Sequence, residues 1–157
     1  MGKRITIARP GRKRGRGEEA MGEVRVKAKL ANAMDETLVK VGQLRASEVR
    51  RCAVDAMVDT GAVRTVVPPQ VAQQLGLAIL RQTVVELASG NMETVNVGSP
   101  VTIDVNGWQT SEEVYVLGNE VLIGQTMLEA LDLHVDCRRG RLVPNPAHPD
   151  QPVTKVK

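Results

Sequence analysis

The amino-acid sequence predicts an all-β protein, a small and mostly antiparallel barrel or sandwich, and three observations support this. The 157 residues are 42% hydrophobic but include one Trp, one Tyr and no Phe, and valine occurs in short runs typical of strands. Polar and apolar residues alternate over residues 23–30, which indicates a half-buried strand. Turn signals separate the short apolar runs, and Asn106-Gly107 is the strongest because this pair suits a type I′ hairpin turn.

The first half of the chain contains two further extended or helical patterns after that first strand. Residues 31–50 are charged and break the alternation, and weak helix-start signals predict that this excursion is partly helical. Residues 51–58 form the next predicted strand. Pro68-Pro69 then ends extended structure, and residues 70–75 form a short helical turn closed by a glycine.

The second half is predicted to contain three hairpins and one helix. An apolar run over residues 121–123 leads into Gly124 and then into a short amphipathic helix over residues 126–133. Turn residues between β-rich runs predict the hairpins. They pair residues 84–87 with 93–97, 101–105 with the strand that starts at Trp108 and continues over 113–117, and 135–137 with 141–143.

Length and composition indicate one domain with a tail at each end. We predict a disordered basic tail over residues 1–20, a folded domain over residues 21–146, and an extended, Pro-rich tail over residues 147–157. No apolar run is long enough to span a membrane, and none near the start has the form of a secretory leader. We therefore expect a cytoplasmic protein without a membrane partner.

The net charge of +3 belongs to the N-terminal tail and not to the domain. Residues 1–17 hold seven of the 21 basic residues and no acid, which leaves 14 basic against 18 acidic residues elsewhere. This tail can contact nucleic acid without sequence preference. A solvated tail, or a start at Met21, is an equally good interpretation. The domain itself has no basic stripe interleaved with aromatic residues, which argues against a platform for single strands.

The tetrapeptide Asp59-Thr60-Gly61-Ala62 directly follows the apolar end of a predicted strand. A strand that ends in this way presents a carboxylate on a tight turn. The Thr60 hydroxyl can fix the turn, and Gly61 allows a ligand or backbone to come close without a Cβ in the way. Alone, the tripeptide is also consistent with an ordinary turn.

Together with Leu122-Ile123-Gly124 and the helix after it, this motif makes residues 24–144 resemble the retropepsin-like aspartic proteases, and in particular the small bacterial aspartyl proteases. The resemblance implies a small closed antiparallel β-barrel with one short C-terminal helix, and an obligate homodimer. It also implies that Asp59 is catalytic and that Leu122, Ile123 and Gly124 support its loop. The hairpin tip at Ala88, Ser89 and Gly90 falls where the family carries a flap over the substrate.

The chemistry of two carboxylates that share one proton requires a second aspartate. This chain has a single Asp-Thr-Gly and is too short for two such lobes, so a dyad needs two chains related by a two-fold axis. The prediction is an aspartic endopeptidase that hydrolyses a peptide or protein substrate with an activated water. The resemblance further implies that each Thr60 hydroxyl bonds across the dimer.

The chain departs from the retroviral pattern directly after Asp-Thr-Gly-Ala. Retroviral members place acids there and pair one of them with an arginine after the later glycine, whereas this sequence has Val63-Arg64 and Gln125. The brace of the dimer and the contacts to the ends of the substrate must therefore differ, although Thr65 matches the pattern. No His and Cys spacing suggests a metal site, and no cofactor is expected.

Two other functions stay open at this level. The same fold can serve as a non-catalytic dimerisation or peptide-binding module, because an intact Asp-Thr-Gly is necessary and not sufficient for hydrolysis. A nucleic-acid-associated protein that acts through residues 1–17 is the other alternative.

Overall fold

The computed structural model describes residues 23–156, and strands dominate that part of the chain. None of its helices has the length and apolar composition needed to cross a membrane. In chain order the elements are β1 (Val24–Asn32), α1 (Ala33–Lys40), a 3-10 turn (Ala46–Glu48), β2 (Arg51–Val58), β3 (Val66–Val67), α2 (Pro69–Gln74), β4 (Ile79–Glu86), β5 (Met92–Val105), β6 (Trp108–Val116), β7 (Leu122–Ile123), α3 (Gln125–Leu131), β8 (Leu133–Asp136) and β9 (Arg141–Pro144).

Six strands close into a barrel in the order β1-β2-β7-β3-β6-β5, because β5 returns to pair with β1 over Lys29–Asn32. Strand β4 lies outside this ring as an edge strand on β5, and β8 pairs with β9 separately. All pairings are antiparallel except β2–β7 and β3–β6. The predicted all-β closed barrel with one short C-terminal helix is confirmed, with two short parallel pairings, one between β2 and β7 and one between β3 and β6.

Strand β2 sends side chains into two apolar clusters, because neighbours in a strand point to opposite faces. Ala56 and Val58 join the main core, together with fully buried residues of β1, β5, β7 and α3. Met57, between them, belongs to a second cluster. That cluster consists of Met57, Val66, Leu87, Val95, Leu117 and Leu122. Since Leu87 and Val95 come from the β4–β5 hairpin, the second cluster joins this hairpin to the strands of the barrel.

Strand β5 corrects the prediction of two separate strands over 93–97 and 101–105. It is one continuous 14-residue strand whose register against β6 shifts between Gly98 and Val101. The extra residue forms a bulge that includes Pro100, which has no amide to donate and is tolerated at such a position. Ser99 is fully buried there, and its hydroxyl accepts a hydrogen bond from the Ala78 amide at 3.0 Å. The bend lets one strand pair with β4, β6 and β1.

The excursion after β1 is partly helical, as predicted, and a buried polar network fixes it. The Asn32 side chain caps α1 by accepting from the amides of the next turn, and its amide group donates to the Leu75 carbonyl at 2.9 Å. Buried Asp35 accepts two hydrogen bonds from the Arg50 guanidinium, each at 2.9 Å, and one from the Arg50 amide at 3.0 Å. The guanidinium passes so close to Gly76 that a Cβ there would clash with it.

The chain after β9 folds back against the end of α3. Asp132 ends this helix in the left-handed region, at φ 56°. Its carboxylate accepts from Asn145 Nδ2 at 2.9 Å and from the Val153 amide at 3.0 Å, and contacts His148 Nδ1 at 2.7 Å. The hydrogen bonds from Asn145 and Val153 lower the pKa of Asp132 to about 2. The tail boundaries stay predictions, and residues 1–20 lie outside the described part of the chain.

The Asp35–Arg50 pair predicts an acid-sensitive contribution to stability. Asp35→Asn should lower the free energy of unfolding at neutral pH by about 1–3 kcal/mol, near the lower end because the Arg50 side chain is 52% exposed. The Arg50 hydrogen bond lowers the pKa of Asp35 in the folded protein. The contribution is therefore present above the unfolded-state pKa and is lost as pH falls through the folded-state pKa.

Denaturant unfolding from neutral to acidic pH measures the difference in free energy of unfolding between the wild type and the variant. Glu48→Gln is the matched control, because the Arg45–Glu48 pair is exposed on both sides and its loss should hardly change stability. A gap between wild type and Asp35→Asn that stays constant into strong acid would contradict the role of the Asp35 charge.

Candidate active site

Asp59 lies at the C-terminal end of β2 and is fully buried. Its amide donates to the Ile123 carbonyl at 2.9 Å, which continues the pairing of β2 with β7. Its Oδ1 accepts from the Gly61 amide at 3.0 Å, and its carbonyl accepts from the Ala62 amide at 3.1 Å. Strand and turn together therefore fix the carboxyl on a tight loop, which we call the catalytic loop (residues 59–62).

Strand β7, only two residues long, pairs with the end of the strand that carries this loop. Leu122 and Ile123 are buried and pair in parallel with Met57 and Val58, and Leu122 also pairs with Val66 of β3. The segment therefore has a neighbouring strand on each side. The sequence analysis expected Leu122, Ile123 and Gly124 to support the loop, and that role stays a prediction.

Gly124 is needed for the close approach of the chain after the catalytic loop. A Cβ at this position would lie 2.5 Å from the Arg64 carbonyl carbon and 2.9 Å from the Thr65 amide nitrogen. These are backbone atoms, which cannot swing aside as the end of a side chain does. The Gly124 amide donates to the Thr65 hydroxyl at 3.1 Å, so Thr65, 1% exposed, fills the remaining space.

The first amides of α3 donate to the catalytic loop and the residues that follow it. The Gln125 amide donates to the Ala62 carbonyl at 2.8 Å, and the Thr126 amide donates to the Val63 carbonyl at 2.9 Å. The first amides of any helix lack partners inside the helix. Here the loop supplies those partners, and the helix holds the loop in return.

Glu112 of β6 is a site residue that sequence reasoning missed. Its Oε2 accepts from the Thr65 amide at 3.2 Å, and its Oε1 accepts from the Thr126 hydroxyl at 2.8 Å. Glu112 is 47 residues from Thr65 in sequence, and no local motif marks it. Only the register of β6 against β5 and β3 brings it to this place.

The absent acid–arginine pair of the retroviral pattern is replaced by other contacts. Val63 is 71% exposed, and the Arg64 guanidinium lies 5.7 Å from the ring centroid of Tyr115. Gln125 donates to Glu129 of its own helix at 3.1 Å. Backbone amides and Glu112 therefore take over the connection between loop and helix.

The hairpin tip predicted as a flap lies at the end of β4 and β5. Ala88, Ser89 and Gly90 are exposed, and Gly90 has a φ of 91°, a conformation that favours glycine. Leu87, directly before them, is buried in the second cluster with Met57, two residues before Asp59. The tip is therefore free in solvent while its base contacts the strand that carries Asp59.

Thr60 and Gly61 are exposed beside the buried Asp59. Within residues 23–156, the Thr60 hydroxyl makes no hydrogen bond. Next to it is an open cavity of about 420 Å3 between α3 and β8. The cavity is lined by Thr60, Gln125, Leu128, Glu129, Asp132, Leu133, His134 and Val135.

Across the described residues 23–156, no three His, Cys, Asp or Glu side chains lie close enough to hold a metal ion. The candidate site comprises the buried Asp59 and the braced loop that carries it. The roles assigned to its residues and to the hairpin stay predictions.

Gly124→Ala should destabilise the fold by roughly 1–3 kcal/mol, because the new methyl group has to displace backbone beside the catalytic loop. Gly98→Ala is the matched control, since its Cβ would meet the Leu77 side chain at 3.3 Å and two valine methyl groups at 3.4 Å. Denaturant unfolding of the two variants measures the difference. Equal losses would show that Gly124 is not required for close approach.

Comparisons with known proteins identify the family and the fold. The family described as "gag-polyprotein putative aspartyl protease" matches residues 47–130, more than half of the chain. The crystal structure of the retroviral protease-like domain of Ddi1 from Leishmania major is similar in fold, with a TM-score of 0.50 and 16% identity over 79% of this chain and 89% of that one. No curated protein matches. The chain belongs to the retroviral-type aspartyl protease family.

Proposed function

We propose that this protein is an aspartic endopeptidase whose active site forms between two copies of the chain. The observation that carries the proposal is the catalytic loop itself: a buried Asp59 on a turn fixed by β7 and α3, with Thr60 and Gly61 exposed beside it. Such bracing from several sides is what a reaction needs when the position of one carboxyl group decides the rate.

The reaction requires two Asp59 carboxyl groups that face each other across a two-fold axis. Two carboxylates at close range cannot both ionise easily, so the pair holds one proton. The ionised member accepts a proton from the attacking water, whose oxygen bonds to the substrate carbonyl carbon. The protonated member donates a hydrogen bond to the substrate carbonyl and polarises it. When the C–N bond breaks, the pair passes a proton to the leaving nitrogen and again holds one proton. The proton belongs to the pair and not to either chain.

The exposed Thr60 hydroxyl supports the two-fold arrangement. It makes no hydrogen bond within residues 23–156 of its own chain, and it borders the loop that would meet its copy. A bond from each Thr60 to the other chain would brace both loops. The isologous geometry supplies both bonds at once.

The β4–β5 hairpin is proposed to bind the substrate as a flap. Ala88, Ser89 and Gly90 present exposed backbone at its tip, and an extended peptide can pair with such backbone. Closure over the peptide would exclude water from the dyad. Beyond the pairing of β5 with β6, Leu87 and Val95 hold the base of the tip against the barrel, so the second cluster would limit how far the tip opens.

Asp59→Asn should reduce peptide hydrolysis by at least about a hundredfold while the dimer persists, because asparagine keeps the shape but cannot share the proton. Asp55→Asn is the matched control, since Asp55 lies on the same strand with an exposed side chain. Initial rates on a mixed peptide library, with size measured for each variant, give the answer. If the Asp59 variant turned over like wild type, Asp59 would have no part in the mechanism. No hydrolysis by wild type at any pH would favour a non-catalytic binding module.

Dilution should lower the rate per chain, because the dyad exists only in the dimer. Thr60→Val should shift this loss to higher protein concentration, since the lost hydroxyl costs about 1–3 kcal/mol at the proposed interface. Thr60→Ser keeps a hydroxyl and is the control. Sedimentation and initial rates over one dilution series measure both effects. A rate per chain that stays constant where sedimentation shows monomers would rule out the shared site.

A further inference from the structure

Glu112 lies half-buried on β6, opposite Val101 at the end of the β5 bulge. Within residues 23–156, no Lys, Arg or His nitrogen lies within 4 Å of its carboxylate. Its partners are instead the Thr65 amide and the Thr126 hydroxyl. Glu112 is therefore not part of a surface ion pair, in which both charged side chains are mobile and exposed to water. Two uncharged donors hold its half-buried carboxylate instead.

The next residue makes the contrast clear. Glu113 pairs with Arg81 of β4 at 2.5 Å, and that Arg81 hydrogen bond lowers the pKa of Glu113. The two successive acids of β6 therefore have different surroundings. Glu113 serves the edge of the hairpin, whereas Glu112 turns toward the catalytic loop.

Two short paths lead from Glu112 to Asp59. In the first, Glu112 holds the Thr65 amide, and the Thr65 hydroxyl accepts from the Gly124 amide. Gly124 follows Ile123, whose carbonyl accepts from the Asp59 amide. In the second, Glu112 holds the Thr126 hydroxyl, and the Thr126 amide donates to the carbonyl of residue 63, next to the catalytic loop.

We infer that Glu112 is a positioning residue for the proposed hydrolysis. Its carboxylate clamps the exit of the catalytic loop to the first turn of α3, and so fixes where the Asp59 carboxyl group points. This inference rests on the proposed function for its kinetic consequence. The clamp itself is a property of the folded chain. The clamp joins the segment after the catalytic loop to the start of α3, two segments that the retroviral pattern joins through an acid–arginine pair that this chain lacks.

Glu112→Ala should lower kcat by about tenfold to a hundredfold with KM nearly unchanged, because the loop stays formed but its carboxyl group is less well placed. Glu112→Gln should restore most of the lost kcat, since its amide oxygen accepts from Thr65 and its amide nitrogen donates to the Thr126 oxygen. Glu113→Gln is the matched control and should keep wild-type kcat. Should Glu112→Ala fail to fold, Thr126→Val against Thr126→Ser tests the same clamp through its other end.

Amide hydrogen exchange separates this inference from the proposed function. In Glu112→Ala, residues 59–65 should exchange faster while the rest of the barrel keeps its protection, and Glu113→Gln should leave residues 59–65 unchanged. Hydrogen exchange can be measured without enzymatic activity. A wild type that hydrolyses no peptide would therefore contradict the proposed enzymatic function but not the clamp. Unchanged exchange at residues 59–65 in Glu112→Ala overturns the clamp. A fall in kcat that Glu112→Gln does not restore overturns the positioning role.

Discussion

The hydrogen bonds that the start of α3 donates to the chain after Asp59 are the interaction on which this structure depends. Three successive amides, those of Gly124, Gln125 and Thr126, donate to the Thr65 hydroxyl and to the carbonyls of residues 62 and 63. The two segments stabilise each other. The helix gains acceptors for amides that have none within a helix, and the loop gains donors that fix its path. The missing Cβ of Gly124 allows the two segments to come this close.

The closure of the barrel follows from the same contact. Strand β7 contributes only two residues, yet it pairs with β2 on one side and β3 on the other, and so links the two halves of the ring. A two-residue strand makes few backbone hydrogen bonds with its neighbours and needs further contacts to hold it in place. Helix α3 supplies them, because its buried Met127, Leu128 and Leu131 join the main core. Burial of these side chains therefore stabilises the loop that carries Asp59 as well as the helix.

Stability is distributed unevenly around the candidate site. Asp59, Ala62 and β7 are buried and bonded on several sides, whereas most of β4 is exposed and, within residues 23–156, pairs only with β5. Near its tip, the hairpin contacts the barrel through Leu87 and Val95 of the second cluster. Segments with few buried contacts open at lower free energy than the core. The proposed function needs such a difference, because one carboxyl group must be held still while a peptide enters.

The sequence by itself determined the fold class, the strand that delivers Asp59, and the segment at Leu122, Ile123 and Gly124, because alternation, turn residues and a short motif are local signals. It did not reveal that residues 93–105 form one bulged strand, since Gly98 and Pro100 also read as a break between strands. Only the tertiary structure decided the partners of Glu112 and the pairing of the buried Asp35 with Arg50. Their donors and acceptors lie far apart in sequence and meet only through the register of the strands and the path of the chain between them. Neither leaves a pattern in neighbouring residues.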